Sequence, residues 1–327
     1  MKKNIIVTHV DADGIGSLVN IVRLTKIREY TAYYVNPEDL YNKLYEIARD
    51  IKDVSRIFIS DLAPNRDKIK DLVMILKDLS EKDVEIFWFD HHIWDPMWIE
   101  EIKNVVAKLY LDTSTCATGV VKNALDPKDD FANELEKIIC SIDLWRFDDP
   151  RSPWFTRIVS YKNTDDWRNL VASKLLETYD PYKFIEWGRR FVEESIDEEL
   201  SEYDKYLRKS QTYKISDITI VGIVKRERSK IGTSQLAHYL LSAKNADIAV
   251  IIRMNGSISL RSREYNVREI AVKLGGGGHK LAAGGRVNLS LIDKMLMRIG
   301  LEKIVVKKIL NIIGDIVSQK ASHETDH

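Results

Sequence analysis

Short runs of β-branched and aromatic residues, most ending on a polar side chain, punctuate the first 110 positions: residues 4–8, 31–35, 56–60, 84–89 and 105–110. Between them apolar positions recur at helical spacing, as over residues 18–28 and 66–79. Apolar strands alternating with helices predict βαβ units and a parallel sheet covered on both faces. Sheets of this kind bind ligands outside the carboxyl ends of their strands. Residues 181–209 read as one helical, densely charged stretch with a solvated face, and a β pattern reopens at 218–224. The expected organisation is a parallel-sheet α/β/α domain over residues 1–185, a connecting helix over 186–211, and a smaller α/β domain over 212–327. The tail after Ser318 is polar, and His323 and His327 read as a frayed terminus.

Composition narrows the class. The chain has 327 residues, 44% hydrophobic and 31% charged, which describes a soluble globular protein of about two domains. No stretch approaches the ~18–20 apolar residues of a membrane span, and the apolar run after Lys3 is too short for a signal peptide. Two cysteines, Cys116 and Cys140, cannot build a disulfide framework, and they fit a reducing cytoplasm. Lys+Arg and Asp+Glu balance at 50 each, but not locally. Residues 1–211 carry 31 basic and 40 acidic side chains, and residues 212–327 carry 19 and 10. An acidic first part beside a basic second part suits a cation-holding domain and an anion-holding one.

Four places set metal-type ligands at or just after predicted elements. His9, Asp11 and Asp13 follow the first strand, and alternation along an extended segment points all three to one side, with Gly14 allowing a sharp turn into the next helix. Asp61 follows the strand over 56–60, and Asp90-His91-His92 follows the strand over 84–89. Asp143 follows a helical run, with Asp148 and Asp149 close by. Each strand-end Asp alone is an ordinary helix cap. Together, so many carboxylates facing one edge would repel strongly without cations between them. The mixture of oxygen and nitrogen donors suits Mn²⁺ or another borderline metal.

These motifs resemble motifs I to IV of the DHH phosphoesterases. The run Gly275-Gly276-Gly277-Gly278-His279, followed by Ala282-Ala283-Gly284-Gly285, is similar to the glycine-histidine signature of that family's second domain, DHHA1. The resemblance covers nearly the whole chain. It implies two divalent cations, Mn²⁺ above all, one held by His9, Asp11 and Asp61 and the other by Asp13, Asp61, His91 and Asp143, with Asp61 bridging. Asp90 would orient a motif histidine, and His92 would face the scissile phosphate as electrostatic stabiliser or proton donor. A cation pair ~3.5–4 Å apart can activate a water for in-line attack on phosphorus.

The resemblance also places the substrate's phosphate and base near Arg261, Ser262, Gly276, Gly277, Gly278 and His279. Bare glycine backbone can curl into an anion-binding nest, and arginine pairs bidentately with phosphate. Arg253 lies nearby, and alternation puts Arg261 and Arg263 on one strand face; Arg263 and Arg268 read as solvated surface. The implied activity is Mn²⁺-dependent hydrolysis of short oligonucleotides or dinucleotides in the cytoplasm, of the nanoRNase or exonuclease type. The implied partners are short RNA or DNA, or linear or cyclic dinucleotides, with no membrane and a homodimer left open. Three alternatives stand beside it: a 3′-phosphoadenosine 5′-phosphate phosphatase, a RecJ-like single-strand exonuclease, and a non-catalytic replication-associated scaffold. The spacing of His9 and Asp11 is the form found in RecJ-like and archaeal members. The segment over residues 113–119 is similar to the family's small-residue helix start. Cys116 reads as packing, and Trp88, Trp94, Trp98 and Trp145 as core or rim.

Overall fold

The computed structural model describes residues 3–324, with side chains described as far as Ser318. His327 and the side chain of His323 lie outside that range. The chain divides into two units, the first ending at Val192 and the second beginning at Glu193.

In chain order the first unit contains β1 (Lys3–His9), α1 (Ala12–Thr25), β2 (Tyr30–Val35), α2 (Leu40–Arg49), β3 (Val54–Ser60), α3 (Ile69–Glu81), β4 (Glu85–Asp90), α4 (Pro96–Lys103), β5 (Lys108–Leu111), α5 (Ala117–Leu125), α6 (Asp130–Asp143), α7 (Ser152–Ser160) and α8 (Asp165–Thr178). Helix α9 (Pro181–Lys209) follows. The five strands form one parallel sheet in the order β2-β1-β3-β4-β5. All five predicted strands are present. The fifth starts later than its pattern suggests, because the N–H groups of Val105 and Val106 are held by Ile102 at the end of α4.

Alternation along the strands feeds two cores. Ile6, Phe58 and Phe89 pack with α1, α5, α6 and α8, while Val7, Ile57, Ile59 and Trp88 pack with α2, α3 and α4. Both faces are covered, which is why these strands read as near-continuous apolar runs. The order reverses at β1, whose neighbours are β2 on one side and β3 on the other. The crevice outside the carboxyl ends of β1 and β3 is therefore the topological switch point, where such sheets take ligands.

The second unit contains β6 (Gln211–Ile215), β7 (Ile218–Val224), α10 (Thr233–Ala243), β8 (Ile248–Ile252), β9 (Ser257–Ser262), α11 (Val267–Lys273), β10 (Gly277–Gly278), β11 (Ala282–Arg286), α12 (Leu291–Arg298) and α13 (Glu302–Glu324). Its sheet runs β10-β11-β9-β8-β7-β6, and only β7 and β8 pair in parallel. Its core is built from Ile220, Ile248, Val250, Leu260, Ile270 and the inner face of α13.

One expectation is overturned. Cys116 and Cys140 are not two thiols but a disulfide, buried between the start of α5 and the last turns of α6. Each cysteine looks like an ordinary apolar position in sequence, and their juxtaposition exists only once α5 packs on α6. Among the described residues no helix is long and apolar enough to cross a membrane.

Candidate functional site

The carboxyl edge of the first sheet is tied together by buried hydroxyls. Thr8 Oγ1, on β1, donates to Gly14 O at 2.9 Å and lies 2.8 Å from Ser60 Oγ on β3. This fixes the last residues of β1 and β3 against the first turn of α1. Gly14 is needed for a reason other than a turn: a Cβ there would lie 2.2 Å from His9 O, so only glycine lets the helix start this close to the strand end. Arg168, on α8, donates through Nε to Val10 O at 2.9 Å and holds the connecting residues from outside.

His9, Asp11 and Asp13 do converge, but not by strand alternation. His9 ends β1. Asp11 is the N-cap of α1, its Oδ1 accepting from the N–H groups of Asp13 and Gly14 at 3.1 and 3.2 Å. Asp13 is already in the first helical turn. It is buried and saturated with donors: Ala117 N to Oδ2 at 2.8 Å, and Thr118 N and Thr118 Oγ1 to Oδ1 at 2.8 and 2.7 Å. The N-terminus of α5 thus acts as a clamp on this carboxylate, with the favourable helix-end dipole behind it. The small-residue segment over 113–119 supplies that clamp.

Asp61 sits at the centre. It is buried, and its backbone is in the left-handed region with φ 57°, a conformation that costs a non-glycine residue about 1–2 kcal/mol. Its N–H donates to Phe89 O at 3.0 Å, which pins it between β3 and β4. One carboxylate oxygen, Oδ2, lies 3.4 Å from His9 Nδ1, and the other, Oδ1, lies 3.3 Å from His91 Nε2. His91 Nε2 is also 3.6 Å from Asp13 Oδ2 and 3.6 Å from Asp143 Oδ2. His9 Nδ1 is 3.0 Å from Asp11 Oδ2. Two ligand clusters follow: atoms of His9, Asp11 and Asp61 lie within 4.8 Å of one another, and so do atoms of Asp13, Asp61 and His91. Asp61 belongs to both.

Asp143, the last residue of α6, points its Oδ2 at His91. Its two neighbours are engaged elsewhere: Asp148 pairs with Arg146 at 3.1 Å, and Asp149 with Arg151 at 2.6 Å. Asp90 is fully buried; its Oδ1 is 2.8 Å from His92 Nδ1, and its Oδ2 accepts from Trp94 Nε1 at 2.6 Å. The histidine it orients is therefore His92. Trp94, which reads as core or rim in sequence, is part of this relay.

The electrostatics follow from crowding. Burial, with Asp61 and Asp143 nearby, holds the Asp13 carboxyl well above the usual range. Burial and the neighbouring carboxylates push Asp143 up to about 6, against an opposing pull from His91. Burial alone would lower the histidines. For His9, Asp11 and Asp61 outweigh it; for His91, Asp61, Asp143 and Asp13 do; for His92, Asp90 does; all three end above their ordinary value. Asp11 and Asp90 stay below the usual carboxylate range despite burial, held there by His9 and His92 respectively. Asp61 Oδ2 and Asp143 Oδ2 are buried without a hydrogen-bond partner. Buried acceptors without donors, among carboxylates that raise one another's pKa and imidazoles that must be neutral to ligate, fit divalent cations.

In the second unit the glycine run does not form one continuous nest. Gly275 N and Gly276 N donate back to Val272 O and Ala271 O at 3.0 and 2.8 Å, closing α11. Gly277 and Gly278 form β10 opposite Gly284 and Ala283, and His279 N donates to Ala282 O at 2.8 Å. A Cβ on Gly276 would lie 2.0 Å from Gly284 O, so the run permits backbone to pack on backbone. Ser262 is buried, and its Oγ accepts from Glu264 N and Tyr265 N at 3.2 and 2.8 Å. Arg261 reaches Ser234 Oγ at 3.3 Å, and Arg253 reaches Thr233 Oγ1 at 3.1 Å, so both guanidinium groups meet the first turn of α10. Arg263 lies just past β9 and donates to Ser242 Oγ at 2.7 Å, at the other end of α10. Burial, with Arg253 beside it, lowers Lys225, and burial lowers Arg253. A cationic cluster at a helix N-terminus is suited to an anion.

The DHHA1 domain family matches residues 217–302. Oligoribonuclease NrnB of Bacillus subtilis (strain 168) is 23% identical over 296 residues, covering 85% of this chain and 71% of that protein. Among solved structures, the pGpG-specific phosphodiesterase PggH from Vibrio cholerae is similar over 93% of this chain and 100% of its own, with TM-score 0.54 and 14% identity. RecJ from Thermus thermophilus, solved in complex with Mn²⁺, is similar over 93% of this chain and 51% of its own, with TM-score 0.53 and 15% identity.

Proposed function

We propose, for a chain that belongs to the DHH/DHHA1 phosphoesterase family, hydrolysis of phosphodiester bonds in short oligonucleotides or dinucleotides with the help of two divalent cations. The observation that carries this reading is Asp61, buried in a left-handed backbone conformation with one carboxylate oxygen toward His9 and the other toward His91. That is the placement a bridging ligand requires. His9 and Asp11 complete one candidate site; Asp13, His91 and Asp143 complete the other. Bound there, cations would activate a water and neutralise charge on the phosphate's non-bridging oxygens. The oxygen and imidazole donor set suits Mn²⁺.

The chain's own residues do the rest. Asp90 holds His92 through Nδ1, so Nε2 is the nitrogen that would meet the substrate, as an imidazolium stabilising the phosphorane-like charge or giving a proton to the leaving oxygen. Trp94 holds Asp90 in turn. Trp94→Phe keeps an aromatic but smaller side chain and removes that hydrogen bond; kcat should fall about 10–100-fold while calorimetric Mn²⁺ affinity stays within about threefold. In the second unit, Arg253 and Arg261, whose guanidinium groups reach the start of α10, are the candidates for a substrate phosphate, with the backbone of Gly276, Gly277, Gly278 and His279 leading into β11, where Ala282 pairs with Arg261.

Two relatives act on substrates of this size by their names, an oligoribonuclease and a pGpG-specific phosphodiesterase. A substrate panel in Mn²⁺ tests the reading: a 5′-phosphorylated dinucleotide, a labelled RNA 5-mer, 3′-phosphoadenosine 5′-phosphate, cyclic di-AMP and pyrophosphate. Release of mononucleotides from the dinucleotide and the 5-mer, stopped by chelator, is expected. Turnover of pyrophosphate alone, or binding of oligonucleotide with no turnover in Mn²⁺, would overturn it.

A further inference from the structure

The Cys116–Cys140 disulfide is buried in the first unit, and it joins the two elements that hold the far side of the candidate metal cage. Cys116 is the N-cap of α5 and immediately precedes Ala117 and Thr118, whose N–H groups clamp the Asp13 carboxylate at 2.8 Å each. Cys140 lies on α6, three residues and so about one turn before Asp143. The covalent bond thus fixes the distance between the clamp on Asp13 and the base of Asp143. Those two carboxylates approach the same atom, His91 Nε2, from two different helices.

Packing around the bond leaves little slack. Thr115 Oγ1 is 3.4 Å from Cys140 Sγ and donates to Glu136 Oε1 at 2.7 Å. A Cβ on Gly16 of α1 would lie 2.2 Å from Ile139 Cδ1 and 2.5 Å from Thr118 Oγ1, so α1, α5 and α6 meet at near-backbone contact here. Two unbonded sulfurs cannot occupy the space of a bonded pair, because their van der Waals radii keep them apart. Reduction must therefore displace the start of α5 from α6 or swing one side chain into a filled core. Metal ligand geometry tolerates about 0.5 Å of such displacement.

We propose that Cys116 and Cys140 are positioning residues whose disulfide sets the spacing of Asp13 and Asp143, so that the divalent-cation affinity of the candidate centre depends on the oxidised state of this pair. The inference rests on the two-cation reading above. It assigns the cysteines no contact with substrate or cation. Reduction by a phosphine takes two electrons: phosphorus gains the oxygen of one water, and the two sulfurs take its two protons.

The test compares Mn²⁺ binding by calorimetry to three forms of the full chain: the oxidised protein, the same protein reduced with a phosphine and desalted without oxygen, and the Cys116→Ala/Cys140→Ala variant. Thiol titration in denaturant should find no free thiol in the first form and two in the second. At a temperature where circular dichroism shows all three folded, Mn²⁺ affinity at one of two sites should fall tenfold or more in the reduced and variant forms, and the other site should move less. A purely structural disulfide would lower the melting temperature and leave affinity unchanged, and that result overturns the proposal. Two free thiols in the protein as purified, with full affinity, also overturn it. No Mn²⁺ binding by the oxidised protein would instead defeat the two-cation reading, and this inference with it. Should the variant not fold, the reduced wild-type chain gives the same comparison.

Discussion

Asp61→Asn is expected to abolish hydrolysis, lowering kcat/KM by at least about a thousandfold, or about 4 kcal/mol of transition-state stabilisation. Asparagine keeps the size and tolerates the left-handed backbone that Asp61 adopts at φ 57°, so the fold should persist. What it removes is the charge shared between the His9 and His91 sides of the site. Its neutral amide can ligate through one oxygen only, so calorimetry should count fewer tightly bound Mn²⁺ ions than in the parent. The metal-free variant should melt near the parent, because Asp61 both repels the Asp13 and Asp143 carboxylates and attracts the His9 and His91 imidazoles, and the two losses offset. A variant that melts much lower without metal, or that keeps more than a tenth of the activity, would remove Asp61 from the centre of the mechanism.

The sheet and the strand-end carboxylates were legible because a parallel sheet writes itself into sequence as apolar runs and because ligands gather at carboxyl ends. Asp11, Asp13, Asp61 and His91 could be placed at one edge from that rule, whereas Asp143, which ends α6, was assigned through the motif resemblance. The geometry behind the placement was not legible. Asp13 arrives through a helical turn, not through strand alternation, since the Asp11 cap starts α1 one residue before any second extended step. The donors that hold Asp13 come from residues 104 and 105 positions away, a pairing no local pattern encodes. Cys116 and Cys140 likewise meet only across the α5–α6 packing. The glycine run misled in a different way. Consecutive glycines are compatible with a nest, a helix end or a close backbone approach, and here the last two apply because β11 passes within contact of Gly276. Trp94 left no signal of its own; only its position four residues after Asp90 hints that a ring N–H could return to that carboxylate.

Chelation should reverse the pH dependence of stability between about pH 5 and 8. In the unfolded chain Asp143 is ionised above about pH 4 and histidines lose their proton near 6.5. In the folded, metal-free protein Asp143 holds its proton up to about 6, and Asp13, His9 and His91 all hold theirs well above their ordinary values. The folded state therefore binds more protons than the unfolded state across this window, and its stability falls as pH rises. For Asp143 alone, 24% exposed, the loss is on the order of 2 kcal/mol by neutral pH. Asp11 and Asp90 are held low and change stability only below about pH 4, outside the window. Divalent cations act in the opposite sense. They bind the deprotonated ligands, so affinity and stabilisation rise with pH as those protons leave. At a hundredfold excess over Kd the gain is about 2.7 kcal/mol, or about 5–10 °C in the melting temperature of a unit this size. Melting curves in EDTA should thus shift down from pH 5 to 8, and curves in Mn²⁺ should shift up. Two parallel profiles, or a Mn²⁺ effect that is largest at pH 5, would mean that these carboxylates and imidazoles do not share a cation.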